Sequence, residues 1–215
     1  MNLIGTTLGA FQIVEEIGQG GMSRVYRAYQ PGLERWVAVK VLQLAPADGT
    51  QPLRRFRREA RAIATLRHPN ILTVYDYGEE RGLAYIAMEY VPGGSLEKRL
   101  SEHPGQPLEW PVTAELVIPI GKALAFAHSQ EIIHRDVKPA NVLLGHHDWP
   151  LLADFGLVKV SRPRRKITSP GIGLGTPFYT APEQILGEAV DHRADIYALG
   201  MTLYEMLTGQ KPFSG

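Results

Sequence analysis

The chain has no cysteine among its 215 residues. That excludes disulfides and thiolate metal sites, and it fits a cytoplasmic setting. Neither sign of charge dominates: 23 Lys and Arg against 22 Asp and Glu leave a formal net charge of +1. No global field therefore draws the chain to nucleic acid or to a membrane surface. No apolar run approaches the ~20 residues that a membrane span needs. The first seven residues lack the basic start and long apolar stretch of a signal peptide. Internal repeats and low-complexity segments are missing too. What remains is an ordinary globular composition, 44% hydrophobic and 21% charged, long enough for one large domain or two small lobes.

The first 90 or so residues read mainly as strands. Phe11–Ile17 leads into a glycine turn, and Val25–Tyr29 follows as its hairpin partner. Trp36–Leu42 is a β-branched run that suits a third strand. A helix fits 51–66, with Thr50 as cap, Pro52 in the first turn, and Phe56, Ala60, Ile63 and Leu66 near one face. Strands near 71–77 and 83–89 complete this half. Pro92-Gly93-Gly94 marks a boundary, which divides the chain into 1–91 and 92–215. Helices follow at about 95–101, 111–129 and 192–208. Pro119 sits inside the second, where a missing N–H and a ring clash cost roughly 3 kcal/mol, so a kink is expected.

The chemistry concentrates in His-Arg-Asp-Val-Lys-Pro-Ala-Asn at 134–141, followed by Asp154-Phe155-Gly156. Two short apolar runs, Val142-Leu143-Leu144 and Leu151-Leu152-Ala153, separate the two polar clusters. Phosphoryl transfer needs such parts. Asp136 can accept a proton from an attacking hydroxyl, and Lys138 can screen charge on the moving phosphate. Asn141 and Asp154 can hold magnesium.

On these residues the chain resembles a protein kinase over about residue 8 to its last residue. Lys138, two positions after the aspartate, resembles the serine/threonine branch. Gly20-Gly21-Met22-Ser23-Arg24-Val25 and the Pro139-Ala140-Asn141 ending resemble the bacterial "eukaryotic-type" members. The resemblance implies an α+β, bilobal fold: an antiparallel five-stranded sheet with one helix, then a mainly helical lobe. It implies ATP and magnesium as cofactors, and protein substrates with serine or threonine.

The resemblance also distributes roles residue by residue. Gly18, Gln19, Gly20, Gly21 and Ser23 stand where the family has its glycine-rich loop, with Ser23 in place of a third glycine. Glycines let backbone approach phosphate with no Cβ in the way; an ordinary hairpin turn is the plainer alternative. Lys40 ends an apolar strand 22 residues after Gly18, and a lysine so placed needs a counter-charge. Glu59, 19 residues on, stands where the family puts that carboxylate; a surface pair with a helix arginine is the alternative. Met88, Glu89 and Val91 resemble the hinge beside adenine, and Val25, Ala38 and Leu143 the apolar slot for its ring. Arg135 before Asp136 implies control by loop phosphorylation, with Arg55, Arg135 and Lys159 as a cation pocket for a phosphate on Thr168 or Ser169. An unmodified loop is the alternative. Thr176 would bond Asp136 and Lys138, and Asp195 would accept backbone N–H groups of the catalytic loop.

Other polar residues read more plainly. His134 is expected in the core, His146-His147-Asp148 in a turn, and the basic run Arg162, Arg164, Arg165 and Lys166 in solvent. The family continues with further helices, one bearing an arginine for the carboxylate matching Glu183, so the resemblance implies an incomplete helical lobe. A buried Glu183 without that partner would be costly, and part of the apolar set of 196–207 is expected to stay exposed. A membrane anchor would lie beyond the chain. Two rivals remain. A nucleotide-binding pseudokinase is opposed by Lys40, Glu59, Asp136, Asn141 and Asp154. A small-molecule kinase is opposed by Gly175-Thr176 and Ala181-Pro182-Glu183. Dimerisation for autophosphorylation is a further expectation.

Overall fold

The structure is a computed structural model that describes residues 2–20, 23–43, 60–61, 63–155 and 178–213. The chain forms two compact units: Met1–Arg67 with Leu72–Val91, and His68–Ile71 with Pro92–Gly215.

The first unit is built on an antiparallel sheet of strands β1 (Thr7–Leu8), β2 (Phe11–Gln19), β3 (Ser23–Gln30), β4 (Arg35–Gln43), β5 (Val74–Glu80) and β6 (Leu83–Glu89). Their order is β1-β2-β3-β4-β6-β5. The sheet has six strands rather than the five read from sequence, because β1 spans two residues and is too short to show a period. It pairs with the start of β2 through Thr7↔Gln12 and Leu8↔Phe11. The strand expected near 71–77 runs instead from Val74 to Glu80.

β4 carries a continuous apolar run because both its faces are covered. Val37, Val39 and Val41 join Phe11, Ile13, Tyr26, Ala28, Leu83, Tyr85 and Ala87 in one buried cluster. Ala38, Lys40 and Leu42 alternate onto the other face, paired in register with Met88, Ile86 and Ala84, all buried. Each large side chain so buried contributes roughly 1.5–3 kcal/mol. Irregular register between Ile13 and Glu15, and between Glu16 and Gly18, bends β2 as it nears the glycine turn. Of the helix read over 51–66, residues 60–61 and 63–65 are helical, and Ala60, Ile63 and Leu66 are buried as its apolar face requires. The rest of that helix, Phe56 included, lies outside the described residues.

The second unit holds helices α1 (Leu96–Glu102), α2 (Trp110–Ser129), α3 (Pro182–Leu186) and α4 (Arg193–Thr208), with a hairpin of β7 (Val142–Leu144) and β8 (Pro150–Leu152). Ser95 caps α1, its Oγ accepting the Lys98 N–H at 3.2 Å. α2 is continuous through Pro119 and buries Thr113, Leu116, Ile120, Ala123, Leu124 and Ala127 along one stripe. It packs against α4 and β8. By length and composition α2 is apolar enough to cross a membrane, against the expectation that nothing in the chain comes near that length. Glu115 and Lys122 interrupt the run in sequence, and the core helix of a soluble domain meets the same test.

Residues 68–71 belong to the second unit because they clip onto β8. The Leu152 N–H donates to Asn70 O at 2.8 Å, and Asn70 Nδ2 donates to Pro150 O at 2.9 Å. His146–Asp148 form a kinked turn between β7 and β8, with His147 at a left-handed φ of 54°, where a turn is expected from sequence. On α4, Ala194, Asp195, Ala198, Thr202, Glu205 and Met206 are buried, while Ile196 and Leu207 are exposed. Glu183 is half-buried, not buried, so water lowers the cost expected for it.

Tyr85 closes one end of the first unit's core. Its ring stands edge-on to Phe11 with centroids 6.1 Å apart. It also crosses Gly78, where an added Cβ would come within 2.2 Å of the Tyr85 Oη and 2.3 Å of Cζ. Gly78→Ala should therefore displace the ring and lower stability by about 1–3 kcal/mol. Denaturant unfolding of the variant against wild type checks this, and an unchanged midpoint refutes the close contact.

Candidate active site

In the first unit, the turn after β2 is closed by the Gly20 N–H donating to Ser23 O at 2.8 Å. Gly18 pairs with Val25 and Gln19 with Arg24 across the hairpin. Val25 is in turn opposite Lys40 on β4. Lys40 is only 9% exposed, on the sheet face that also carries Ala38 and Met88. The sheet thus brings the glycine turn and the lysine into adjacent register. The Glu89 N–H is taken by Thr73 O at 2.9 Å, so Glu89 can offer a base only its carbonyl. Val91 follows at the end of this unit, half-buried. Gly21 and Glu59 lie outside the described residues.

In the second unit, the loop at 134–141 wraps Asp136 in polar partners. Lys138 Nζ lies 3.0 Å from Asp136 Oδ2. Asn141 Nδ2 donates to the same oxygen at 3.1 Å and to Asp136 O at 2.7 Å. With its amide nitrogen committed twice, Asn141 keeps Oδ1 as its acceptor. A single 3-10 turn, Pro139–Asn141, brings the asparagine back toward the aspartate. Asn141 O accepts the Ala153 N–H at 2.8 Å, and His134 Nε2 lies 2.9 Å from Ala153 O. Both backbone groups of Ala153 are thereby held by this loop, one residue before Asp154. Asp154 itself adopts a left-handed φ of 59°, a region that Asp tolerates better than most side chains. Leu143, on β7, pairs with Leu151 and is half-buried.

His134 is fully buried, with its ring 4.5 Å from that of Phe155. The Asp136 N–H donates to Nδ1 at 3.2 Å, which requires Nδ1 to be unprotonated and leaves Nε2–H to donate to Ala153 O. Burial holds the imidazole below its ordinary pKa, against an upward pull from Asp195 and the Ala153 carbonyl. This is the core histidine expected from sequence. Asp195, also fully buried, accepts the His134 N–H at 2.8 Å and the Arg135 N–H at 2.7 Å, as expected.

Three further contacts escaped the sequence reading. His128 Nε2 reaches Asp195 Oδ2 at 2.8 Å. The Tyr179 hydroxyl donates to the buried Glu205 carboxylate, and burial and that carboxylate push the phenol pKa up. Gln184 Nε2 donates to Arg135 O at 3.0 Å. The only signal that pointed toward Gln184 was its place directly after Ala181-Pro182-Glu183. Arg135 is half-buried, and its Nε is buried with no hydrogen-bond partner among the described residues. Arg55, Lys159, Thr168, Ser169 and Thr176 lie outside the described residues. Among those described, no group of three or more His, Cys, Asp and Glu could hold a metal.

His134 sets a pH dependence. Unfolded, it binds a proton near its ordinary pKa of about 6.5. Folded, its pKa is lower, so below about pH 6.5 the unfolded chain holds more protons and stability falls as pH falls. His134→Phe should be less stable at pH 7.5, having lost two hydrogen bonds, yet lose less than wild type between pH 7 and 5.5. Denaturant unfolding at several pH values tests this; parallel slopes for the two proteins refute it.

A sequence-family profile described as "Protein kinase domain" matches residues 11–215. The serine/threonine-protein kinase PrkC of Bacillus subtilis is 41% identical over 214 residues, which is 99% of this chain and 33% of that protein. The serine/threonine-protein kinase PknF of Mycobacterium tuberculosis is 39% identical over 97% of this chain and 45% of its own length. The chain thus spans between a third and a half of these relatives. A crystal structure of the kinase domain of Mycobacterium tuberculosis PknI, a cysteine-to-alanine mutant, superposes with a TM-score of 0.81 at 36% identity, covering 100% of this chain and 80% of its own. With the profile spanning all but ten residues and the polar loop of Asp136 folded as described, the chain belongs to the protein kinase domain family.

Proposed function

We propose that this domain transfers the γ-phosphoryl group of ATP to serine or threonine hydroxyls of proteins, in the cytoplasm, and that it serves signalling. The observation that carries the reading is the convergence of Lys138 Nζ and Asn141 Nδ2 on one carboxylate oxygen of Asp136. A carboxylate so held is oriented to accept the proton of an incoming hydroxyl. The substrate oxygen bonds to the γ-phosphorus as the bond from that phosphorus to the β–γ bridging oxygen breaks. The proton passes to Asp136, and ADP leaves with the bridging oxygen.

Each residue then has one task. Lys138 offsets negative charge on the moving group. Lys40 and the backbone of the turn at 18–23 hold the phosphates, and Glu59 orients Lys40. The Glu89 carbonyl and the Val91 backbone bind adenine, whose ring faces suit Val25, Ala38 and Leu143. Asn141 Oδ1 and the Asp154 carboxylate are hard oxygen donors of the kind that magnesium takes, and they would hold it. When bound, that ion neutralises charge on the phosphate oxygens.

We further propose control by phosphorylation of Thr168 or Ser169, carried out by a second copy of the domain. The buried Nε of Arg135, with no hydrogen-bond partner among the described residues, supports this, since a phosphate of about −2 charge would offer it an acceptor. Arg55 and Lys159 would complete the pocket, and Thr176 would tie the ordered loop to Asp136 and Lys138.

Lys40→Met should fold normally and lose more than tenfold in kcat/KM, about 1.4 kcal/mol or more of transition-state stabilisation. Asp136→Asn should keep nucleotide affinity but lose transfer, whereas Asp154→Asn should weaken magnesium-dependent nucleotide binding. Radiolabelled transfer to a basic protein, with nucleotide titrations in the presence and absence of magnesium, separates these outcomes. Normal transfer by Asp136→Asn would refute the assignment. Mass spectrometry of an active preparation should find phosphate on Thr168 or Ser169, and Arg135→Ala should blunt the accompanying gain in rate. An active preparation with both residues unmodified rules out control at these positions.

A further inference from the structure

We infer that Gln184 is a positioning residue for Asp136, acting through the backbone carbonyl of Arg135. The inference rests on the transfer reaction proposed above, and it adds to it a residue outside the catalytic loop. Arg135 has a left-handed φ of 66°, a conformation that a long side chain rarely adopts unless its surroundings impose it. Among the described residues, two side chains hold its backbone. Asp195 Oδ1 holds the Arg135 N–H at 2.7 Å, and Gln184 Nε2 holds the Arg135 carbonyl at 3.0 Å. The next N–H, that of Asp136, is held by His134 Nδ1 at 3.2 Å.

The peptide joining Arg135 to Asp136 is therefore gripped on both edges, its oxygen by Gln184 and its N–H by His134. Rotation of that peptide would re-aim the Asp136 side chain. His134 and Asp195 were legible from sequence; the third grip, Gln184, was not. Its amide is used at both ends, because Oε1 also accepts the N–H of the fully buried Ala181 at 3.2 Å. A carboxylate can replace only the accepting end, and an ammonium or guanidinium only the donating end. Gln184 thus links the first turn of α3 to the backbone beside the proton acceptor.

This double use allows a clean test in the full-length protein. Gln184→Glu keeps an oxygen for the Ala181 N–H, so α3 should stay capped. It replaces the donor toward Arg135 O with an oxygen that repels it. The expected result is a fall of at least tenfold in kcat, with KM for ATP within twofold of wild type and a melting temperature nearly unchanged. Gln184→Met, which keeps length and loses both bonds, should show the same fall in kcat and bind nucleotide within twofold of wild type. Hydrogen exchange in a peptide spanning 133–138 should be at least fivefold faster in both variants. A kcat within twofold of wild type, or an altered melting temperature alone, would show that Gln184 only caps α3 and would overturn the inference. If wild type transfers no phosphate to any protein, the proposed function fails, and unchanged exchange at 133–138 would separately overturn the role of Gln184.

Discussion

A single buried carboxylate organises the second unit. Asp195, in the first turn of α4, is shut off from water and accepts from the His134 and Arg135 backbones, with His128 Nε2 at 2.8 Å as a further partner. A carboxylate in that position is tolerable only when such groups replace its hydration. The dependence runs both ways. Two consecutive N–H groups in a non-helical loop need acceptors, and an orphaned donor costs about 1–3 kcal/mol. The loop of Asp136 is shaped by α4, which lies about sixty residues further along the chain.

From that anchor the polar network spreads outward in steps. His134 accepts the Asp136 N–H and reaches the Ala153 carbonyl, while Asn141 accepts the Ala153 N–H and donates to Asp136. The segment entering Asp154 and the loop bearing Asp136 are therefore one hydrogen-bonded piece. Such preorganisation suits a reaction whose catalysis is mostly positioning and charge neutralisation. The first unit solves a different problem, which is to present a nearly buried lysine from a sheet. It does so by covering both faces of β4, the valines in one cluster and Ala38, Lys40 and Leu42 on the other side.

Much of this was legible in the residues themselves. The β-branched run of β4, the helix read at about 111–129 and the turn at His146–Asp148 follow from local propensity and turn chemistry. The polar residues at 134–141 follow from the fixed spacing that their chemistry needs. What stayed hidden was either too short to carry a period or was settled by distant partners. β1 has two residues. The assignment of 68–71 to the second unit depends on Asn70 meeting β8, about eighty residues away.

The sequence by itself determined which groups are present and how they are spaced along the chain: the carboxylates of Asp136 and Asp154, the cations of Lys40 and Lys138, the carboxamide of Asn141 and the glycine turn. Only the tertiary structure decided which polar groups hold those residues still. His128 meets Asp195 across 67 positions, Gln184 meets Arg135 across 49, and Tyr179 meets Glu205 across 26. No local rule selects such pairs. Each arises because folding buries a donor or an acceptor, and the nearest complementary group must then take the place of water.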